Sequence, residues 1–180
     1  MKILVWNEYR HEKQEEKIRK VYPKGIHEVI ADFLRADGHE VRTATLDDEN
    51  HGITKEILDD TDVLFWWGHM AHGEVPDEVA YLVRDAVLDG MGAVFLHSAH
   101  HSKPFRYLLG TSCNLCWRES GDSERLWVIE PSHPITRGID RSFFLPEEET
   151  YGEPFVIPTP DKLLLIGSYS GGEVFRSGCL

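Results

Sequence analysis

Short apolar runs alternate with amphipathic segments through the first 110 residues of the chain. The apolar runs predict four strands, at residues 2–6, 40–46, 62–67 and 92–97. Apolar side chains at helical spacing predict a helix over 26–34 that ends near Gly38. A second helix is predicted over 76–90, with Pro76 at its first position. This alternation is typical of a parallel sheet with helices on its faces, which makes the chain an α/β protein.

The pattern changes after Gly110, where short strand candidates are separated by turns rich in proline and glycine. These candidates are residues 126–130, 142–145, 163–168 and 173–175, and two further short helices are predicted at 53–59 and 103–109. We expect the second half to elaborate the same sheet. A length of 180 residues suits one domain, so the sequence predicts a single domain over 1–180.

The charge balance argues against two classes of partner. Thirty-one Asp and Glu residues outnumber nineteen Lys and Arg residues, which gives a net charge of −12. Such a chain repels phosphate backbones and anionic lipid, so we expect neither nucleic acid nor a membrane as a partner. The apolar run at the N-terminus meets Glu8 and Arg10 almost at once, too soon for a secretory signal. The sequence therefore predicts a cytoplasmic protein with reduced cysteines.

Half of the ten histidines fall shortly after two of the predicted strands. His69 and His72 follow the third strand, whereas His97, His100 and His101 follow the fourth. Ligands of open α/β sheets bind outside the carboxyl ends of the strands. Imidazole either binds a metal ion or transfers protons near neutral pH. The sequence therefore predicts a site at these strand ends.

Each group at this edge has a simpler interpretation beside the functional one. His69 and His72 either ligate a divalent ion such as zinc or hydrogen-bond the backbone at the strand end. Ser98 lies beside His97 as a hydrolase nucleophile would, but a nucleophile elbow needs small residues where this chain has Leu96 and His100. Ser98 is more simply a group that positions a ligand or bonds the backbone. His97 and His100 stay candidates for proton transfer or metal binding.

Two other segments supply candidate side chains. The first strand ends in Asn7 and Glu8, with His11 close behind, and this edge of the sheet can face the same crevice. The later segment 146–154 is predicted to be a loop that lies over the histidines and brings a carboxylate and a phenol. Of its successive glutamates we expect Glu149 to turn inward, together with Tyr151.

Motifs spread over nearly the whole chain point to a family. They are Val5-Trp-Asn-Glu8 with His11-Glu-Lys13, Tyr22-Pro23, Thr61-Asp-Val63, Trp66-Trp-Gly-His69 with His72, Gly90-Met-Gly92, Leu96-His-Ser98, Trp117-Arg118, Ser132-His-Pro-Ile135, Tyr151-Gly-Glu-Pro-Phe155 and Gly171-Gly-Glu-Val-Phe-Arg-Ser-Gly178. In these segments the chain resembles the ThuA-like family, named for trehalose utilisation. Members of that family look like class I glutamine amidotransferases in fold.

The resemblance implies a flavodoxin-like, doubly wound, mostly parallel sheet with helices on both faces. Ser98 takes the place of the amidotransferase cysteine nucleophile, so glutamine hydrolysis is not expected. The family link is to sugar metabolism, in the handling of oxidised (keto) glycosides alongside a partner dehydrogenase. Family members continue past Gly178 into another strand and a Pro-Gly-His-Glu-like loop. The resemblance therefore implies that this chain is truncated at its C-terminus.

The leading hypothesis is an enzyme that isomerises, eliminates or hydrolyses a disaccharide or keto-glycoside. His69, His97 and Glu149 would form its metal or acid–base centre, with Ser98 and His100 beside them. The substrate-binding set is Asn7, Glu8, His11, Trp66, His72 and Tyr151. A divalent metal is the candidate cofactor, no nucleotide cofactor is expected, and a homo-oligomer is the candidate assembly. The runner-up is a non-catalytic protein that binds sugar as an accessory to another enzyme, and a weaker alternative is a Ser98-dependent hydrolase.

Overall fold

A computed structural model describes residues 1–180. The chain divides into two compact units, Met1–Gly110 and Thr111–Leu180. The first unit contains the four predicted strands and all six α-helices, and the second is built from strands. A single domain over 1–180 stays a prediction.

The strands of the first unit form a fully parallel sheet. They are β1 (Lys2–Asn7), β2 (Glu40–Thr45), β3 (Val63–Trp67) and β4 (Gly92–Leu96). Their order in the sheet is β2-β1-β3-β4, and every neighbouring pair runs parallel. The predicted mixed α/β class and the four strand positions are confirmed. Because the strands are parallel, their carboxyl ends meet at one edge.

Both faces of this sheet are covered, which explains why its central strands are apolar throughout. On one face, Leu4 and Trp6 of β1 belong to a core that includes Leu64 and Trp66 of β3. The indoles of Trp6 and Trp66, which are register partners, stack with ring centroids 3.8 Å apart. On the other face, Ile3 and Val5 pack in a second core.

The helices of the first unit supply the layers on these faces. They are α1 (His11–Gln14), α2 (Glu16–Val21), α3 (Ile26–Ala36), α4 (Lys55–Asp59), α5 (Asp77–Leu88) and α6 (Lys103–Leu109). Ile30 and Ala31 of α3 pack in one core, and Val79 and Val83 of α5 pack in the other. Three 3₁₀ turns complete the unit, at Glu49–Gly52, His72–Glu74 and His97–His101. No helix of the chain has the length and apolarity needed to cross a bilayer.

One helix start differs by a residue from the prediction. Pro76 is the N-cap of α5 rather than its first helical residue, because its ψ of 151° is extended. The proline ring fixes φ near −61°, a value that suits both the N-cap and the first helical residue. The presence of a proline therefore does not show which of these two positions it occupies.

The second unit forms a separate antiparallel sheet, which corrects the expectation that it extends the parallel one. Its strands are β5 (Cys116–Val128), β6 (Ser142–Gly152), β7 (Leu163–Tyr169) and β8 (Val174–Cys179). Their order is β6-β5-β7-β8. The first two are much longer than predicted, and the segment expected as a loop over 146–154 lies mostly within β6. Charged residues and an irregular register between Arg118 and Asp122 hide the alternation that marks a strand.

Candidate functional site

The parallel sheet gathers histidines at the carboxyl ends of three adjacent strands. The chain leaves β1 toward α1, leaves β3 into the segment 68–72, and leaves β4 directly into the 3₁₀ turn His97–His101. The histidines carried by these connections, which we call the histidine edge, are His11, His69, His72, His97, His100 and His101. All of them lie in the first compact unit.

A hydrogen-bonded relay joins two of the predicted residues at this edge. The hydroxyl of Ser98 donates to the carbonyl of Gly68 over 2.9 Å, and Nδ1 of His69 lies 3.1 Å from the same hydroxyl oxygen. A hydroxyl has one hydrogen, and here it faces the carbonyl. His69 is therefore the donor through Nδ1–H. In the neutral imidazole this tautomer leaves Nε2 unprotonated, as the nitrogen that accepts a proton or ligates an ion.

Two further imidazoles lie close to His69. The ring of His11 stacks on it with centroids 4.7 Å apart and planes inclined by 22°. His97 is close enough for the charge of His69 to act on its pKa. Burial by the surrounding protein is the largest cause and the charge of His69 the second, and together they lower the pKa of His97 to about 4. His97 is exposed at the surface of the chain, so solvent moderates this shift. Its direction nevertheless leaves His97 neutral at pH 7.

The remaining histidines form the other end of the edge. The rings of His72 and His101 meet edge to face at 6.2 Å, and His100 lies 4.3 Å from His101. Burial is the largest cause that lowers the pKa of His72, and the carboxylate of Glu8 opposes it. His72 is therefore an uncharged group near neutral pH.

Asn7 and Glu8, predicted to bind substrate, use their polar atoms inside the protein. The Asn7 amide lies 2.9 Å from both Oε1 of Glu12 and Nδ1 of His27, and its carbonyl oxygen accepts the N–H of Tyr9. Glu8 accepts backbone N–H groups on both carboxylate oxygens. Both side chains are fully buried.

The two tryptophans of β3 lie in different surroundings, and the sequence analysis assigned a role only to the first. Trp66, predicted to shape the sugar pocket, is stacked in the core and is buried. Trp67, which was not among the predicted site residues, is half-buried, and its ring lies 5.7 Å from that of His97. Successive side chains of a strand point to opposite faces, so only one of the pair could stack on Trp6. The stacked partner in β1 was the signal that could have assigned them.

Glu149 and Tyr151 lie in the second unit, on the same face of β6. Burial, followed by the neighbouring Glu119, raises the pKa of Glu149, and a hydrogen bond from Tyr151 opposes this shift. Burial and the Glu149 carboxylate together raise the pKa of Tyr151. The pair is thus a half-buried carboxylate with a buried phenol as its donor. Its sharing of one centre with His69 and His97 stays a prediction.

A comparable pair in the second unit was not predicted from the sequence. Glu124 and Tyr169 lie directly opposite each other on β5 and β7 and hydrogen-bond through their side chains. Ser177 donates to the same carboxylate over 3.2 Å. Both residues are buried, and burial raises the pKa of the carboxyl and of the phenol. No local motif marks this pair, because cross-strand register creates it.

Comparison with known proteins decides the family. A family model described as ThuA, trehalose utilisation, matches residues 2–174. The chain belongs to the ThuA family. That membership supports a carbohydrate-related role.

Solved structures agree with this membership at the level of the fold. A protein of Bacteroides uniformis ATCC 8492 described as ThuA-like has a TM-score of 0.65 and 19% identity, covering 93% of this chain and 68% of that one. A protein of Thermoplasma acidophilum described as part of a GMP synthase has a TM-score of 0.54 and 13% identity, covering 96% of this chain and 79% of that one. No curated protein matches the sequence significantly.

The histidine edge of this ThuA-family chain has donors of a kind that fits a divalent ion. Neutral imidazole nitrogens suit zinc and the neighbouring transition metals. His97 is neutral, and the tautomer of His69 leaves Nε2 as the nitrogen that would ligate. No three His, Cys, Asp or Glu side chains lie together at the spacing of a formed metal site. The chemistry of the donors, rather than an assembled ligand set, is what supports an ion here.

Proposed function

We propose that this chain is a carbohydrate-processing enzyme that performs acid–base chemistry on a keto-glycoside at the histidine edge. The observation that carries the proposal is the relay from His69 through Ser98 to the carbonyl of Gly68. A catalytic base must present its lone pair in one defined tautomer and orientation. The relay fixes both for His69.

The chemistry of the substrate class matches these groups. A keto sugar has acidic C–H bonds beside its carbonyl, and a neutral imidazole removes such a proton. Nε2 of His69 is the base in this scheme. His97 is neutral at pH 7, so its N–H donates a hydrogen bond to the carbonyl oxygen and stabilises the negative charge that develops there. Proton removal and return would lead to isomerisation, and loss of a leaving group to elimination.

A metal version of the proposal uses the same residues. His69 through Nε2 and His97 would hold a divalent ion. When bound, the ion would polarise the substrate carbonyl. The two versions differ at Nε2 of His69, which cannot accept a proton while it ligates. They therefore predict different metal contents and the same substrate class.

Ser98 is assigned a positioning role within the proposal. A serine nucleophile gives its hydroxyl hydrogen to the neighbouring base. In this chain that hydrogen faces the carbonyl of Gly68, and His69 is the donor to the serine oxygen. This arrangement disfavours the hydrolase alternative.

Finer parts of the proposal rest on the sequence and on the family. We include the flavodoxin-like assignment of the sheet. The observed order β2-β1-β3-β4 supports it, because the first four strands of a flavodoxin-like sheet have the same order. A cytoplasmic location, a partner sugar dehydrogenase and a homo-oligomer belong to the same proposal.

The test compares untagged wild-type protein with His69→Ala and His97→Ala. Each is incubated with trehalose and with 3-ketotrehalose while product formation, metal content and melting temperature are followed. We expect product from the keto sugar, and a loss of about 10²- to 10⁴-fold in turnover for His69→Ala. His133→Ala, in a turn of the second unit, is the matched control and should keep full turnover.

The same experiment separates the alternatives. Metal that co-purifies with wild type and is lost in both site variants supports the metal version, whereas turnover without metal supports the acid–base version. A rise in melting temperature with either sugar, without product, would show a sugar-binding accessory protein instead of an enzyme. Turnover that survives both substitutions would overturn the proposal.

A further inference from the structure

Glu8 lies at the junction between the first strand and the loop that carries the proposed base. It directly follows β1, and its backbone N–H donates to the carbonyl of Trp67, the last residue of β3, over 3.2 Å. Its side chain is 1% exposed. A carboxylate this deeply buried needs hydrogen-bond donors, because burying an unsatisfied charged group is costly.

The donors are two consecutive backbone amides of the loop after β3. The N–H of Met70 donates to Oε1 over 2.7 Å, and the N–H of Ala71 donates to Oε2 over 3.0 Å. Each carboxylate oxygen therefore holds one amide. Hydrogen bonds to an ionised acceptor are about twice as strong as neutral ones.

These three hydrogen bonds lie on both sides of His69, the base in the proposed function. Trp67 is held on one side of His69, and Met70 and Ala71 are held on the other. The segment 67–71 thus has little freedom to move relative to β1. The imidazole of His69 then meets Ser98, just after the neighbouring strand, at a hydrogen-bonding distance.

We propose that Glu8 is a positioning residue that clamps the 67–71 loop and so holds His69 in its productive orientation. This inference rests on the proposed function of His69. It differs from the sequence-based prediction that Glu8 binds substrate, because both oxygens are already engaged by backbone amides. A substrate hydroxyl would have to compete with them.

The test substitution is Glu8→Gln, which keeps the shape of the side chain. The glutamine carbonyl can still accept one amide hydrogen, but its NH₂ group faces the other N–H as a second donor. Glu74→Gln is the matched control. Glu74 is an exposed carboxylate of the neighbouring 3₁₀ turn that pairs with Arg10. Its backbone N–H donates to the carbonyl of Ala71 over 2.9 Å, a bond that the side-chain substitution leaves in place.

The first measurement is amide hydrogen exchange, which does not depend on any substrate. We expect Glu8→Gln to accelerate exchange at Met70 or Ala71 by about tenfold or more, with the strands unaffected. Glu74→Gln should leave both amides as slow as in wild type. Unchanged exchange in Glu8→Gln would overturn the clamp, as would equal acceleration in both variants. If Glu8→Gln fails to fold, Glu8→Asp, which keeps the charge on a shorter stem, gives the same readout.

The second measurement separates positioning from substrate binding. With 3-ketotrehalose, a misplaced base lowers kcat by roughly 10- to 100-fold and leaves KM nearly unchanged. A lost substrate contact would instead raise KM with kcat preserved, and would return Glu8 to the substrate-binding set. If wild type shows no turnover, the proposed function fails, while the exchange measurement still decides whether Glu8 clamps the loop.

Discussion

The Nδ1–H of His69 donates to the hydroxyl oxygen of Ser98 across 3.1 Å, although 29 residues separate them in the chain. Strand register explains the meeting. Trp67 of β3 is the register partner of Leu96 of β4, and each site residue comes two positions later. Parallel neighbours with matched ends therefore place these two side chains together.

Ser98→Ala tests the value of this contact. The change removes the acceptor of His69 and the donor of the Gly68 carbonyl, so we expect a loss of stability of about 1–3 kcal/mol. We also expect turnover of the keto sugar to fall, because His69 loses its fixed tautomer. Ser102→Ala is the matched control, since the hydroxyl of Ser102 is buried and has no hydrogen-bond partner. Urea denaturation and turnover should show little change in that variant.

A serine-directed reagent gives an independent check on the same residue. Because the hydroxyl hydrogen of Ser98 faces a carbonyl rather than the imidazole, a fluorophosphonate should leave the protein unlabelled. The check is mass spectrometry of the intact protein, which is sensitive enough to show even one adduct per chain. Labelling that disappears in Ser98→Ala would establish the hydrolase alternative.

The sequence predicted the parallel sheet well because its signal is local. Apolar runs of five or six residues and amphipathic helices between them are visible without any knowledge of contacts. The strand ends, and with them His69 and His97, follow from these runs. The length of β5 was missed because polar residues between Arg118 and Asp122 interrupt the alternation. That of β6 was missed because Pro146 and the three glutamates after it are typical of a loop.

Roles that depend on distant partners could not be predicted in the same way. Glu8 bonds amides 62 and 63 residues away, and Asn7 bonds His27. From the sequence, both residues are simply polar groups at a strand end. Whether such a group faces a ligand or satisfies a buried donor is decided by packing of the whole unit.

Asn7→Ala should destabilise the protein rather than weaken substrate binding alone. The amide donates one hydrogen to Oε1 of Glu12 and the other to Nδ1 of His27, and its carbonyl accepts the N–H of Tyr9. Its removal takes the partner of Nδ1 and of the Tyr9 N–H, whereas Oε1 of Glu12 keeps the N–H of Ile26. We expect a loss of about 2–4 kcal/mol in the free energy of unfolding, from about 1–3 kcal/mol for each unsatisfied group with partial relaxation. Urea denaturation measures it. Unchanged stability combined with a raised KM would instead restore Asn7 to the substrate-binding set.

Stability should fall in mild acid because of His27. The Asn7 amide donates to Nδ1, so the proton of the neutral ring is on Nε2, and burial is the largest cause that lowers its pKa from 6.5. The unfolded chain then binds a proton more readily than the folded one, so this contribution is present above about pH 6.5 and is lost as pH falls through the folded pKa.

His27→Gln, which keeps an acceptor for Asn7, isolates this contribution from those of His72 and His97. Urea denaturation between pH 8 and pH 5 should show a shallower decline in the variant than in wild type. The buried neutral His27 would be excluded as a cause if the two curves ran parallel.

Glu149→Gln should separate stability from activity. The pKa of Glu149 is raised, chiefly by burial, so the folded protein binds its proton more tightly than the unfolded chain. The stability linked to this carboxyl is therefore fully present below the unfolded pKa and is lost as pH rises through the folded one. Above the ordinary pKa of a glutamate, the partial burial of this carboxyl therefore lowers the stability of wild type. Glutamine does not ionise and can still accept the hydrogen bond from Tyr151, so we expect equal or higher stability at pH 7.

Turnover of the same variant decides whether Glu149 serves the proposed centre. If it does, turnover should fall while stability is kept, since functional groups are commonly retained at a cost in stability. Glu147→Gln, at an exposed position of the same strand, should change neither quantity. Urea denaturation and keto-glycoside turnover at pH 7 provide the comparison. Full turnover in Glu149→Gln would remove this residue from the catalytic and metal-binding sets and confine the chemistry to the histidine edge.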